Sequence, residues 1–554
     1  MTDILLIQPP VEDFYFTYKR SIPYGLASIA ASLQKAQFSV EIFDCLAVKR
    51  SKVIPIPPEM EYLLPYYKEP DISSFSLFNE FKHYGYSYEY AGKIVKEKRA
   101  YLVGISSLFT PYWSCAQKMA CVVKKFFPEC KIVMGGHHPT ALPEEVMKCS
   151  DVDFILRGEG EISMPILAQR LKFGEGVEDV PGIVFRKQKS GFKEEVDPQN
   201  LHISEPAWIK DFDKLLPPAM ELINHDFYSR GGKKGAVNIG STVVVASRGC
   251  PMPCTYCSVG ASSSYGRFRQ RKVDDVINEL SLQIEKYNIG FIDFEDENLT
   301  LNKKWFLELM GKIVRLSKDR NIEIRAMNGL YPPSLDEEMI VAMKDAGFKT
   351  LNLSLGSTSA IQLRRFRRPD VRGAFEQVLY IAAKHGLECV SYLIAGAPDQ
   401  NPEDSLNDLL FLSQKQTLVG LSIFYPAPGS LDYEKCRQNA LLPQQFSLMR
   451  SSALPISHTT SRIQAVTLLR LARIINFIKS LTDSGQPIPA PEKCEDRALS
   501  SNLLQDRRSV GVCLLKWFLY DGVLRGVKKD GTLFEHNVDL ELCRGFIKRL
   551  KLSN

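Results

Sequence analysis

Cys250, Cys254 and Cys257 stand in the run Ser247-Arg-Gly-Cys-Pro-Met-Pro-Cys-Thr-Tyr-Cys-Ser258, a C-x3-C-x2-C array. Three thiolates that close together are soft ligands for a metal or an iron–sulfur cluster. A cubane of four irons normally takes four thiolates, so three leave one iron open. Catalytic zinc sites keep an open position for substrate in the same way. Gly249, Pro251 and Pro253 bend the loop, and no histidine is near. The plainer alternatives are three unrelated core cysteines or a zinc knot, but zinc usually needs a second C-x2-C pair or a Cys/His set. The chain has no second pair. The rest of its 13 cysteines are scattered, which fits free thiols in a reducing compartment.

The elements that must position this loop come in two alternating runs. Before it, Ile4–Ile7, Phe38–Phe43, Tyr101–Ser106, Lys131–Met134 and Asp153–Leu156 read as short apolar strands. Helical stretches at Gly25–Gln37 and Trp113–Phe127 separate some of them. That order predicts a doubly wound α/β domain over residues 1–172, with ligands at the carboxyl ends of its strands. Residues 50–95 are rich in Tyr, Pro and Phe without a period and read as an insertion or lid. Residues 173–240 read as a linker, marked by Pro217-Pro218 and Arg230-Gly-Gly-Lys-Lys-Gly235. From 241 to 430 six strand–helix units follow, beginning with Thr242–Ala246 just ahead of the cysteines. In β/α barrels the site lies at the strands' carboxyl ends. Residues 431–554 read as mainly helical, and Ile463–Leu481 as an amphipathic helix suited to core packing.

In the first domain the strand-end segments are Ser106-Ser107-Leu-Phe-Thr110, Gly135-Gly136-His137-His-Pro-Thr140 and Arg157-Gly158-Glu159-Gly-Glu161. Followed by the cysteine array, they resemble the cobalamin-binding domain that precedes the barrel in one large branch of the radical S-adenosylmethionine (radical SAM) enzymes. The array itself, with Tyr256 before its last cysteine, resembles that family's signature. The resemblance implies an N-terminal Rossmann-like cobalamin domain, a partial (β/α)6 radical SAM barrel and a helical region shaping the substrate pocket. It implies a 4Fe-4S cluster on Cys250, Cys254 and Cys257, S-adenosylmethionine on its open iron, and cobalamin at Ser106, Ser107, Thr110, Gly135, Gly136, His137, Gly158 and Glu159. One departure stands out. The Asp-x-His-x-x-Gly fingerprint, whose histidine ligates cobalt from below, is absent. Cobalamin is therefore expected to bind without a histidine ligand, with His137 and His138 capping a turn or contacting the nucleotide tail.

Around the barrel rim the resemblance assigns further contacts. Glu295 and Asp296, after the second strand, are candidates for the methionine amine. Gly356 and Ser357 stand where many relatives have a Glu-Ser pair near the ribose. Gly396 and Pro398 resemble the Gly-x-Pro turn against adenine. Arg269 and Arg271 read as structural, and one of the arginines at 365–368 is a candidate for the methionine carboxylate. No side chain is singled out as catalytic.

The family reading implies that an external one-electron reductant of flavodoxin or ferredoxin type drives cleavage of S-adenosylmethionine to a 5′-deoxyadenosyl radical. A C-methyltransferase acting on an unactivated carbon of a small or lipid-like metabolite is expected. The alternatives are a cyclase, rearrangement or oxidation enzyme with both cofactors, and a non-enzymatic cobalamin sensor. The 70 basic and 64 acidic residues leave +6 over 554 residues, too diffuse for nucleic acid, which needs concentrated phosphate contacts. The N-terminus lacks a signal-peptide pattern and no apolar run suits a membrane span, so a cytoplasmic location is expected. The oligomeric state is left open.

Overall fold

The computed structural model describes residues 2–17, 21–67, 69–187, 198–229, 239–259, 268–318, 320–454 and 459–550. The expected glycine- and lysine-rich marker at 230–235 lies outside them. A seven-stranded sheet opens the chain. Its order is Leu201–Ile203, Ile183–Arg186, Phe154–Leu156, Lys131–Gly135, Leu102–Ser106, Ile4–Gln8, Val40–Asp44. The last five are parallel, and the first two are added antiparallel. Residues 173–240 are thus more than a connector, since they supply two strands of this sheet.

The strand run Ile4-Leu-Leu-Ile7 is buried on both faces, as helix-covered parallel strands require. Leu5, Ile7, Val103 and Ile105 meet Met119, Ala120 and Val123 of the Trp113–Phe126 helix. Ile4, Leu6 and Leu102 point the other way, onto Leu26, Ala30 and Leu33 of the Tyr24–Lys35 helix and Met164 and Leu167 of the Gly160–Phe173 helix. The two-residue period of the strand decides which helix each side chain meets.

Six parallel strands form the second unit. Gly240–Val244, Ile289–Phe294 and Glu323–Arg325 make one three-stranded sheet, and Thr350–Gly356, Glu388–Ala395 and Leu418–Ile423 another. Parallel bridges at Ile324–Phe348 and Leu330–Leu353 join them into one open curve. The Arg462–Thr482 helix packs its buried Leu468, Leu471, Ile474 and Ile475 into the same core. No helix among the described residues is long and apolar enough to cross a membrane.

The expected lid at 50–95 is not a free flap. Its Ser51–Val53 and Lys82–Tyr84 strands form a small antiparallel sheet with Val11–Asp13, and the Tyr88–Lys98 helix starts at a Ser87 cap. Phe75 lies edge-on to Phe477 at 5.3 Å. Tyr67 Oη donates to Ser452 O at 3.0 Å, and Asp71 pairs with His536 at 3.0 Å. The aromatic composition serves packing between the first domain and the C-terminal helices.

Candidate active site

The cysteine array leaves the first barrel strand as a loop tied on every side. At its base Ser247–Arg248 pairs antiparallel with Arg269–Gln270. Asp296 supports the same turn: its carboxylate accepts from Ala246 N at 3.2 Å and Ser247 Oγ at 2.5 Å. Burial pushes that carboxyl up to about 7. Gly249 N donates to Glu297 at 3.1 Å, and Asn298 Nδ2 to Cys250 Sγ at 3.7 Å. On the far side Thr255 N donates to Phe366 O at 3.1 Å and Thr255 Oγ1 to Asp432 at 3.0 Å.

The acidic run after the second strand therefore divides its labour differently from expectation. The two oxygens of Asp296 accept from the Ala246 backbone and the Ser247 hydroxyl, and Glu297 and Asn298, which the sequence reading passed over, also touch the loop. The clue was in the run Glu295-Asp-Glu-Asn298 itself. Four consecutive polar residues, two of them buried, cannot all face one small ligand. After the fourth strand, Ser357 Oγ donates to Asp408 at 2.8 Å and Thr358 N to the same carboxylate at 2.6 Å. Gly356 faces the Arg368 guanidinium instead: a Cβ there would lie 3.4 Å from Arg368 Nε. Arg368 is the half-buried member of the 365–368 arginines, the other two being exposed; it donates to Tyr256 Oη at 2.9 Å and Ser354 Oγ at 2.6 Å. Gly396 holds φ +72° in a buried turn where Ala397 N donates to Gln400 at 3.0 Å.

Cys254 is buried, and Cys250 and Cys257 are half-buried. Burial raises the Cys250 thiol above its usual range, whereas a coordinated thiol is deprotonated outright. Beside Cys250, Asn298 Oδ1 is buried without a partner, an acceptor left for a bound group.

At the first domain's strand ends, Gly136 takes φ +123°, and a Cβ there would sit 2.5 Å from Ser107 O. Gly158, at φ +88°, would put one 2.2 Å from Ala207 O. These glycines let loop approach loop, a use the sequence reading assigned to a ligand. Ser107 Oγ is buried without a partner, and Leu108 and Phe109 are 45% and 58% exposed beside it. A buried hydroxyl next to an apolar shelf fits a large, partly apolar ring system such as a corrin. Ser106, Thr110 and Gly135 share this end of the sheet. His138 is fully buried between Trp113 and Phe446, with ring centroids 5.0 and 5.1 Å away. Its Nδ1 faces Thr110 Oγ1 at 3.2 Å. Burial lowers His137 to about 4 and His138 to about 3, so both are neutral near pH 7.

The two ends meet. Glu159 and Glu161, after the Phe154–Leu156 strand, both reach Arg248, two residues before Cys250, at 3.1 and 2.6 Å. Glu159 also pairs with Arg269 at 2.8 Å and accepts from Ile209 N at 2.6 Å. Phe212 lies under both guanidiniums, 5.5 and 4.8 Å from their carbons. The carboxyl ends of the first sheet thus abut the base of the cysteine loop.

Two family models match this layout: the B12 binding domain over residues 82–168 and the radical SAM superfamily over residues 244–412. The chain thus holds a radical SAM domain over residues 244–412. It carries a B12-binding domain ahead of the radical SAM domain, and the cofactors that go with the pair are a 4Fe-4S cluster, S-adenosylmethionine and cobalamin. It is 28% identical over 393 residues to an uncharacterized methyltransferase of Pyrococcus horikoshii, covering 70% of this chain and 81% of that one. It is 24% identical over 307 residues to an anaerobic magnesium-protoporphyrin IX monomethyl ester cyclase of Synechocystis, covering 54% and 57%. In structure it is similar to the radical S-adenosylmethionine methyltransferase TsrM of Kitasatospora setae, solved with cobalamin and a [4Fe-4S] cluster. The TM-score is 0.58 at 16% identity, covering 80% of this chain and 76% of that one.

Proposed function

We propose that this radical SAM protein is a cobalamin-dependent C-methyltransferase acting on a small or lipid-like molecule. The observation that carries the reading is the contact of Arg248 with Glu159 and Glu161. It sets the strand ends suited to a methyl carrier against the loop suited to radical generation. The relative matched over 81% of its length is named a methyltransferase, which supports the same reading.

Bound together, the cofactors supply a 5′-deoxyadenosyl radical that removes hydrogen from carbon and a methyl group to replace it. The chain's own work is to hold and exclude. Cys250, Cys254 and Cys257 would hold the cluster. Glu297 and Asn298 fix the loop at Gly249 and Cys250, and Asp296 fixes its entry. Asn298 Oδ1 is the acceptor free to meet a donor on bound S-adenosylmethionine. Glu295 remains the candidate for the methionine amine. Arg368 keeps Tyr256 in place behind the array. Ser107 with Leu108 and Phe109 would hold the corrin. An external one-electron donor and a cytoplasmic setting complete the proposal.

The test is incubation of the reduced enzyme with methyl-deuterated S-adenosylmethionine and small-molecule extracts of its source cell. A metabolite gaining the deuterated methyl is expected. Formation of 5′-deoxyadenosine with a product that never acquires label would favour cyclisation or rearrangement, the chemistry named for the Synechocystis relative. Cobalamin binding with no cleavage of S-adenosylmethionine would favour a sensor.

A further inference from the structure

Away from the strand carboxyl ends, three ligand-type side chains converge on the first domain. Cys121 Sγ, Cys149 Sγ and a carboxylate oxygen of Asp151 all lie within 4.8 Å of one another. Cys121 is exposed on the Trp113–Phe126 helix, while Cys149 is buried in the loop ahead of the Phe154–Leu156 strand. That loop lies at the amino end of its strand, across the sheet from Ser107 and Glu159.

We propose that Cys121, Cys149 and Asp151 bind one thiophilic divalent cation of the zinc class, with water in the fourth position. Two sulfurs and one carboxylate oxygen are a donor set for zinc rather than for magnesium or calcium, which take oxygen alone. The ligands are held before any ion arrives. Cys121 rides a 14-residue helix whose opposite face is core. The loop bearing the other two is stapled by Arg186, which donates to Val152 O and Cys149 O, each at 2.8 Å. Backbone bonds from Cys149 N to Val146 O and from Val152 N to Cys149 O, each 3.1 Å, close the turn. Cys121 is exposed and Asp151 partly so, which gives an ion a way in. The donor atoms are close enough for one ion to reach all three with little rearrangement.

The site is independent of the cluster reading, so the test removes the cluster. The full chain carrying Cys250→Ala, Cys254→Ala and Cys257→Ala is titrated anaerobically with Co2+ and followed by thiolate-to-metal charge transfer in the near ultraviolet. About one equivalent of Co2+ should bind with a thiolate band. Cys121→Ser should abolish the band, and Asp151→Asn should weaken binding about tenfold or more, as ligand-shell changes do. Cys121 is exposed and Asp151→Asn is close to isosteric, so neither variant should unfold the chain. A band of equal strength in Cys121→Ser, no band at all, or recovery of a Cys121–Cys149 disulfide in place of metal would overturn the proposal.

Discussion

Arg248 donates to Glu161 across 2.6 Å, and the same guanidinium lies 3.1 Å from Glu159. One side chain of the cysteine loop thus holds two carboxylates of the neighbouring domain. All three are largely out of solvent, and Glu159 shares its second oxygen with Arg269. Removing one partner of a buried pair leaves the other charged and unpaired, which costs about 3–5 kcal/mol. The strain falls on the junction between the two units.

A Glu161→Gln change is expected to loosen that junction while sparing the cysteines. Iron content and bound cobalamin should stay near wild type. The ratio of 5′-deoxyadenosine to methylated product should rise, by about tenfold if ~1.4 kcal/mol of the pair's energy guides the geometry. Quantifying both products in single turnovers checks this, and an unchanged ratio would show that the pair has only a structural role.

Cys254→Ala should abolish cluster loading. Anaerobic reconstitution of the wild type is expected to give about four irons and four sulfides per chain, and the variant neither the cluster nor any cleavage of S-adenosylmethionine. Stoichiometric zinc without iron in the wild type would end the radical reading.

Cobalamin is expected to bind with no histidine on cobalt, because His138 is enclosed by Trp113, Phe446 and Thr110. Electron paramagnetic resonance of the cob(II)alamin form should lack the nitrogen splitting of an axial imidazole. Splitting that disappears in His137→Ala or His138→Ala would refute this.

Asp296 predicts a pH dependence. Its folded pKa, about 7, lies above the ordinary carboxylate value, so between about pH 4 and 7 the folded chain holds a proton that the unfolded chain has lost. Stability from this group therefore falls as pH rises through that window and is level above it. A displacement of that size corresponds to about 4 kcal/mol. Asp296→Asn mimics the protonated form, so denaturation midpoints should show the variant gaining on the wild type between about pH 5 and 7 and no further above that. If Asp296 holds the loop rather than the methionine amine, KM for S-adenosylmethionine should change less than about threefold. A larger rise would return the residue to ligand contact.

Much of this protein was legible from local pattern. Apolar runs such as Ile4–Ile7 announce buried parallel strands because both faces must be covered. Cys250, Cys254 and Cys257 announce a cluster because ligand spacing within one loop is a local property. The order of the two domains follows from chain order alone. What local pattern leaves open is which long-range partner a polar group finds. Nothing near Arg157-Gly-Glu-Gly-Glu161 in sequence says that its carboxylates belong to Arg248 and Arg269. Nothing near Asp296 says that both its oxygens serve Ala246 and Ser247. The glycines at 136 and 158 announce a close approach, but only the packed loops show that the approaching groups are Ser107 O and Ala207 O. The aromatic stretch at 50–95 has no period because its contacts are with residues some 400 positions away, such as Phe477 and Ser452. Secondary structure and metal-ligand spacing are set by neighbours in the chain. Desolvated charge pairs and the filling of a core are set by whichever groups the fold brings within a few ångströms, and that was decided only by the tertiary structure.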